Sequence, residues 1–243
     1  MWHTLSLRTL ALRYTLDELA QANASVVKAT KSVLAHKSRH TIDYLSIKFY
    51  LRDESIGIVR SVDNAMANRQ VTRAEFKIIP EMPERCCTHD DKVINGRRFM
   101  TFLNAYPRPF SGLTDLYLYN LRLGKFDMPN VLGACKKLEY LSLNTCDAGI
   151  GSVLQIEHPQ LYEMSIILCA CKTIELNRLP RLTHLTCRSW MPSNDTYPLT
   201  FGYVPQLSYI SLTNKASIYH KNLKLSEFLS NVRIANLDLN FQC

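Results

Sequence analysis

Along the second half of the chain one pattern of apolar and polar positions keeps returning: apolar-x-x-apolar-x-apolar. It reads Leu113/Leu116/Leu118, Leu138/Leu141/Leu143, Leu161/Met164/Ile166, Leu182/Leu185/Cys187, Leu207/Ile210/Leu212 and Ile234/Leu237/Leu239, with first positions 21 to 27 residues apart. The alternation inside each phrase predicts a short strand. The residues between phrases must carry the chain back to begin the next strand in the same direction. A single strand with its return cannot bury its apolar side, so neighbouring units must stack, and the pattern predicts a solenoid.

That spacing lies in or beside the ~20 to 29 residue window of leucine-rich repeats. The expected fold class is α/β, a leucine-rich-repeat solenoid with a parallel concave sheet, convex helices and irregular returns. The first half shows the phrase with longer returns, as Leu7/Leu10/Leu12, Ile42/Leu45/Ile47 and a weaker Val71/Ala74/Phe76. Thr15 and Glu18 form a T-x-x-E capping box that opens a helix, with Leu16, Leu19, Val26, Thr30, Val33 and Leu34 at helical spacing. A second helix is expected from Glu54 to Ala67, with Ile56, Val59, Val62 and Met66 on one side. The step from Val71 to Leu113 is too long for one return. Pro80, Pro83 and the polar run Cys86 to Gly96 predict an inserted loop over 80–98, and Arg97 to Tyr106 a short helix leading back. Beyond Leu113, Pro129, Pro159, Pro180, Pro198 and Pro205 predict irregular or 3₁₀ returns. Residues 1–243 then form one continuous solenoid domain.

Composition narrows the function classes. The start, Met1 to Tyr14, carries Arg8 and Arg13 within its apolar stretch and has no small-residue cleavage site, which argues against secretion. The longest apolar run, Ile166 to Cys171, falls far short of the ~18 residues of a membrane span. A soluble chain of the cytoplasm or nucleus is expected. The eight cysteines are then expected to be reduced thiols. The formal charge of +8 is concentrated: from Leu19 to Ile42 there is no acid, while Lys28, Lys31, His36, Lys37, Arg39 and His40 accumulate. Such a stripe suits nucleic acid or anionic lipid, or is the solvated back of a helix. The second reading is preferred, because no aromatic interleaving accompanies the charges.

No catalytic constellation is visible, and no cofactor motif. Cys86, Cys87, His89 and Asp90 are ligand types for zinc without the C-x(2 to 4)-C spacing. Cys169 and Cys146 stand eight places into their repeats, at the slot leucine-rich repeats fill with Asn or Cys. His36 and His40 lie four apart with no acid beside them. The repeat frame instead selects residues for a binding face, since those between the apolar positions point to the concave side. One row reads Asp115, Tyr140, Glu163, His184, Tyr209 and Asn236. The next reads Tyr117, Ser142, Ser165, Thr186, Ser211 and Asp238, and the third Tyr119, Asn144, Ile167, Arg188, Thr213 and Asn240. Tyrosine among small polar groups suits protein recognition, because it offers amphipathic area at low entropic cost.

The strands, together with phrases such as Ile156-Glu-His-Pro-Gln-Leu161, Leu179-Pro-Arg-Leu182 and Leu237-Asp-Leu-Asn-Phe241, resemble plant F-box/leucine-rich-repeat proteins over roughly Leu5 to Phe241. The resemblance implies that the repeats recruit a target protein and that an N-terminal F-box binds the adaptor of an SCF ubiquitin ligase. Only Trp2-His-Thr-Leu5 matches the tail of an F-box, so the adaptor is expected as a partner only if an F-box lies upstream. The expected role is a non-enzymatic substrate-recognition module with an unknown target protein on the concave face. The alternatives are a standalone scaffold, a nucleic-acid-binding solenoid using the basic helix, and a small-molecule receptor.

Overall fold

Burial decides the frame. Leu116, Leu118, Leu141, Leu143, Leu185 and Leu212 are fully buried and Ile166 is nearly so, as alternate positions of strands whose one face meets a core. The computed structural model describes residues 16–35, 41–81, 87–149, 151–190, 198–215 and 224–242. The phrase Leu7/Leu10/Leu12, Thr15 of the capping box, Trp2, Leu5 and the histidine pair His36/His40 lie outside these residues.

In chain order the elements are α1 (Leu16–Ala35), β1 (Ile42–Tyr50), α2 (Ile56–Ala67), β2 (Val71–Ile79), α3 (His89–Ala105), α4 (Pro107–Ser111), β3 (Leu113–Tyr119), α5 (Asp127–Ala134) and β4 (Tyr140–Asn144). They continue with β5 (Val153–Glu157), β6 (Glu163–Ile167), β7 (Thr173–Arg178), β8 (His184–Arg188), β9 (Leu199–Tyr203), β10 (Tyr209–Lys215), α6 (Leu225–Phe228) and β11 (Asn236–Gln242). One eight-stranded sheet runs β1-β2-β3-β4-β6-β8-β10-β11, and every pairing in it is parallel. This is the leucine-rich-repeat solenoid.

The frame of the first two strands differs from the expected one. Ile47 and Phe49 pair with Phe76 and Ile78, which pair in turn with Leu116 and Leu118. The phrases Ile42/Leu45/Ile47 and Val71/Ala74/Phe76 therefore stand two residues early. Because side chains alternate with period two, an even slip leaves every residue on its proper face.

The returns correct two further expectations. The inserted loop over 80–98 is helical from His89, not from Arg97, because Thr88 and Asp91 close a capping box: Thr88 Oγ1 accepts from the Asp91 amide at 3.2 Å and Asp91 Oδ2 accepts from the Thr88 amide at 2.9 Å. In the second half, three returns are strands instead of irregular segments. β5, β7 and β9 form a parallel three-stranded sheet behind the first, with Leu154, Ile156, Ile174, Leu176 and Leu199 facing the core. Pro159, Pro180, Pro198 and Pro205 sit beside these strands, where they remove no ladder hydrogen bond, while Pro129 lies in the first turn of α5.

In the first half helices fill the same layer. Phe49, Phe76, Phe110 and Phe99 join strands to helices in a chain of edge-to-face contacts, with ring centroids 5.6, 5.7 and 5.9 Å apart. On α1, Leu19, Thr30 and Leu34 are buried as expected, whereas Val33 is 54% exposed and the polar Asn23 is buried. Asn23 donates to Ser55 Oγ at 2.7 Å and accepts from the Tyr50 amide at 3.2 Å, tying α1 to the end of β1.

Each strand from β3 to β8 in the large sheet ends in a residue of positive φ: Asn120, Thr145, Leu168 and Ser189, at 52° to 54°. Each donates its amide to the next strand, to Asn144, Ile167, Arg188 and Thr213 in turn, at 2.7 to 2.9 Å. The turn directs the following residue inward, which is why Leu121, Cys146 and Cys169 are buried. In β11, Leu237 and Leu239 remain 39% exposed, since that strand has one neighbour among the described residues.

Candidate functional site

The rows expected from the repeat frame exist as continuous lines of paired residues. Asp115, Tyr140, Glu163, His184, Tyr209 and Asn236 are successive register partners, as are Tyr117, Ser142, Ser165, Thr186, Ser211 and Asp238. Tyr119, Asn144, Ile167, Arg188, Thr213 and Asn240 form the third line. Register alone brings these residues to one face, because adjacent parallel strands stand about 4.8 Å apart and present equivalent positions side by side.

Packing then divides the face. Tyr117 and Tyr140 stack with centroids 4.9 Å apart. Further along, Tyr162, His184 and Tyr209 form a second group at 5.8 and 5.5 Å. Glu163, Arg188, Asn236 and Asp238 are exposed, while Tyr119 and Asn144 are half-buried. Asp238 accepts from Ser211 Oγ at 2.9 Å, and Asn144 Oδ1 from Thr145 Oγ1 at 3.0 Å. Ser142, Ser165 and Ser211 are themselves buried, so beyond Tyr117 the middle row is a floor of small hydroxyls beside the rings of the first row.

The first row reaches beyond Asp115 to Glu75 and Ser46, and the second to Lys77 and Lys48. Glu75 is 4% exposed and heavily partnered. It accepts from Ser46 Oγ at 2.7 Å, from the Tyr44 hydroxyl, and pairs with Lys77 Nζ at 2.5 Å. Burial by itself would raise its pKa; the hydrogen bonds from Lys77, Tyr44 and Ser46 outweigh burial and leave the carboxyl lowered. Its neighbour Asp115 goes the other way. Burial raises it, the charges of Glu75 and Glu139 add to that, and its hydrogen bond from Thr114, at 2.6 Å, does not compensate. Lys77 also lies 4.7 Å from the Tyr117 centroid, and the Arg73 guanidinium 5.6 Å from that of Tyr44. Tyr44, Glu75, Lys77 and Tyr162 were not among the residues selected from sequence. The first three lie in the strands where the phrase is weak, and Tyr162 precedes its row by one position; the alternation Glu75-Phe76-Lys77 is the signal that exposes two of them.

The other candidates fall elsewhere. Cys169 occupies the repeat slot, its thiol donating to the Leu143 and Ile167 carbonyls at 3.8 and 3.7 Å, and Cys146 does the same one repeat earlier. Burial pushes the Cys146 and Cys187 thiols up to about 12. Among the described residues no group of three His, Cys, Asp or Glu is placed to hold a metal ion; His89 lies against the Arg122 guanidinium, with Nε2 at 2.8 Å, and Cys86 is outside these residues. Lys28 and Lys31 are exposed on α1. No described helix is long and apolar enough to cross a membrane.

No curated protein and no solved structure matches the chain significantly. Residues 67–241, from the end of α2 to β11, match the family model described as "FBD-associated F-box protein At5g56370, LRR repeats". Repeats of this kind are typically non-catalytic modules for protein interaction. With most of its length in that match, and its strands in one parallel sheet, the chain belongs to this plant F-box/leucine-rich-repeat family.

Proposed function

We propose that the concave face of the large sheet holds a target protein, and that the chain acts as the substrate-recognition part of an SCF-type ubiquitin ligase, in the cytoplasm or nucleus, without chemistry of its own. The observation that carries this reading is the pair of aromatic groups, Tyr117/Tyr140 and Tyr162/His184/Tyr209, set on a floor of buried serines. Rings held by neighbours lose little entropy when a partner covers them, and aromatic residues dominate binding hot spots. The solenoid fixes their spacing, so the mechanism is presentation of a bound protein at a fixed orientation. The concave residues Asp115, Tyr119, Asn144, Glu163, Arg188, Asn236 and Asp238 complete the surface around the rings.

Affinity purification from plant cells tests the reading. The chain should capture a reproducible partner, and the triple variant Tyr117→Ala, Tyr140→Ala, Tyr209→Ala should lose it while keeping its circular dichroism spectrum. Capture of the same partner at undiminished yield by the triple variant would move the site away from the concave face. Adaptor recovery is compared between the chain and a version with an F-box fused upstream of Met1, the form for which the adaptor is expected; recovery of adaptor and captured partner together by the fused version supports the ligase role over that of a standalone scaffold.

A further inference from the structure

Tyr140 stands between two acidic residues in the register of the sheet, and the charge of Glu163 reaches its hydroxyl. Its register partners in the two adjoining strands are Asp115 and Glu163, each about one strand spacing, ~4.8 Å, away along the sheet. Glu139 precedes it in the chain, and its charge reaches Asp115. Among the described residues neither Asp115 nor Glu163 takes part in an ion pair, and the two cations of this region are committed to other groups: Lys77 is bound to Glu75 at 2.5 Å and lies over Tyr117, and Arg73, whose charge also reaches Asp115, lies over Tyr44. The result is a local acidic field around an aromatic ring, within a chain whose formal charge is +8.

The sheet shows what suits such a place. Where a cation of the chain can reach a concave ring it lies over it, as Lys77 does with Tyr117 and Arg73 with Tyr44. The attraction is between positive charge and the electron-rich ring face, and it strengthens when water is displaced. Tyr140, stacked on Tyr117, has an acidic register partner in each adjoining strand, and among the described residues no cation lies over its ring. Charge complementarity therefore excludes a phosphorylated or acidic segment, and a nucleic-acid backbone with it, because either would bring phosphates or carboxylates against Asp115 and Glu163.

Resting on the reading of the concave face as the recognition surface, we propose that the partner segment received there carries a basic side chain, arginine foremost, that lies over the Tyr140 ring between Asp115 and Glu163. Arginine is favoured over lysine because a planar guanidinium stacks on a ring and still directs N–H groups in its own plane towards carboxylates on either side. A captured target should thus present an exposed arginine in an extended or loop segment.

Fluorescence anisotropy with two labelled octapeptides tests this directly, one alternating Arg and Ser and the other alternating Glu and Ser, measured with the full chain at low and at physiological salt. The Arg peptide should bind, more weakly at the higher salt, and the Glu peptide should not. Asp115→Asn with Glu163→Gln should weaken the Arg peptide about 10-fold or more, and Tyr140→Ala should weaken it comparably. The carboxylate changes are isosteric and remove mutual repulsion, so these variants keep their fold, which thermal melting checks. An Arg peptide that fails to bind the unmodified chain, or binds the Asn/Gln variant equally tightly, overturns the proposal. With the captured partner, loss on removing the three tyrosines but full retention in the Asn/Gln variant overturns the basic side chain alone. Retention in both sets overturns the reading of the face as well.

Discussion

Gly96→Ala is the substitution that most sharply tests how the helical half is fastened to the repeats. A Cβ at Gly96 would lie 1.9 Å from the Arg122 carbonyl oxygen and 2.8 Å from its carbon, and a backbone carbonyl has no rotamer by which to escape. To reach ordinary contact, α3 must move away by about 1.5 Å, more than the gap of roughly 0.5–1 Å that already forfeits a quarter to a half of the dispersion attraction across an interface. The same movement strains the Arg122 amide to Lys92 carbonyl bond, 2.8 Å, and the Asn95 side chain to Asn120 carbonyl bond, 3.3 Å. Against this, alanine gains about 1 kcal/mol of helix propensity over glycine. Overpacking of about 1–3 kcal/mol and two weakened hydrogen bonds of about 0.5–1.5 kcal/mol each leave a net loss of roughly 1–5 kcal/mol. Gly133→Ala is the internal control: it also lies in a helix, α5, and its Cβ would meet nothing within 4 Å, so only the propensity gain remains. Urea unfolding of the three proteins should therefore place Gly96→Ala below the unmodified chain and Gly133→Ala above it. A Gly96→Ala midpoint equal to or above that of the unmodified chain, at an unchanged m-value, would refute the close approach of α3 to the 120–122 segment.

Three further outcomes are expected. Leu141→Ala, fully buried between register partners Leu116 and Met164, should cost about 2–5 kcal/mol in denaturant unfolding; an unfolding curve matching that of the unmodified chain would remove Leu141 from the core. Leu168→Asn should stabilise by roughly 0.5–1 kcal/mol, because Leu168 sits at φ 54° and 38% exposed, and asparagine tolerates the left-handed region better than leucine; a lower melting temperature would show that its side-chain contacts outweigh the backbone relief. His158 is buried, with Nε2 donating to the Cys135 carbonyl at 2.9 Å and Nδ1 accepting from the Gln160 amide at 3.2 Å, so both ring nitrogens are used in the neutral form. Burial lowers its pKa from 6.5, the unfolded chain takes up the proton first, and its contribution to stability is fully present above about pH 6.5 and lost as the pH falls below it. His158→Gln should therefore show a shallower loss of melting temperature between pH 7 and 5 than the unmodified chain, and parallel curves would exclude the effect.

The repeats were legible because apolar spacing records burial directly: Leu116, Leu141 and Leu185 are inward in the strands for the same reason that they recur in the sequence. The concave rows followed from period two alone. Four things were not legible, each for a physical reason. The two-residue slip in β1 and β2 is invisible to alternation, which any even shift satisfies, and is resolved only by pairing Phe76 with Leu116. The strand returns β5, β7 and β9 were obscured because proline density reports where the chain turns and not what lies between the turns. The start of α3 lies outside the usual S/T-x-x-E/Q pattern, because Thr88-His-Asp-Asp91 closes its capping box with Asp at N3. The partners of Glu75 belong to this class too: Tyr44, Ser46 and Lys77 come from two strands whose adjacency no local pattern encodes.

The change from helical to strand returns bears on where a partner is held. Packed helices stand about 8–10 Å apart while strands stand about 4.8 Å apart, so behind β1 to β3 the outer layer is wider than the inner one and the sheet is driven to curve. From β5 onward both layers advance by a strand spacing, and that drive disappears. The changeover falls at β3 and β4, the strands that carry Tyr117 and Tyr140. On these spacings a partner lying there would meet rings at the end of the more curved stretch, with Lys77, Asp115 and Glu163 in the adjoining register positions, whereas Tyr209 would stand on the flatter part beside Thr186 and Ser211. Water is excluded better from a concave place than from a flat one, and truncation costs most where water is excluded. Tyr140→Ala should therefore weaken capture of the partner by at least 30-fold, about 2 kcal/mol, and Tyr209→Ala by clearly less, in titrations with the purified partner. The reverse order would place the centre of the interface on β8 and β10 and separate curvature from binding in this chain.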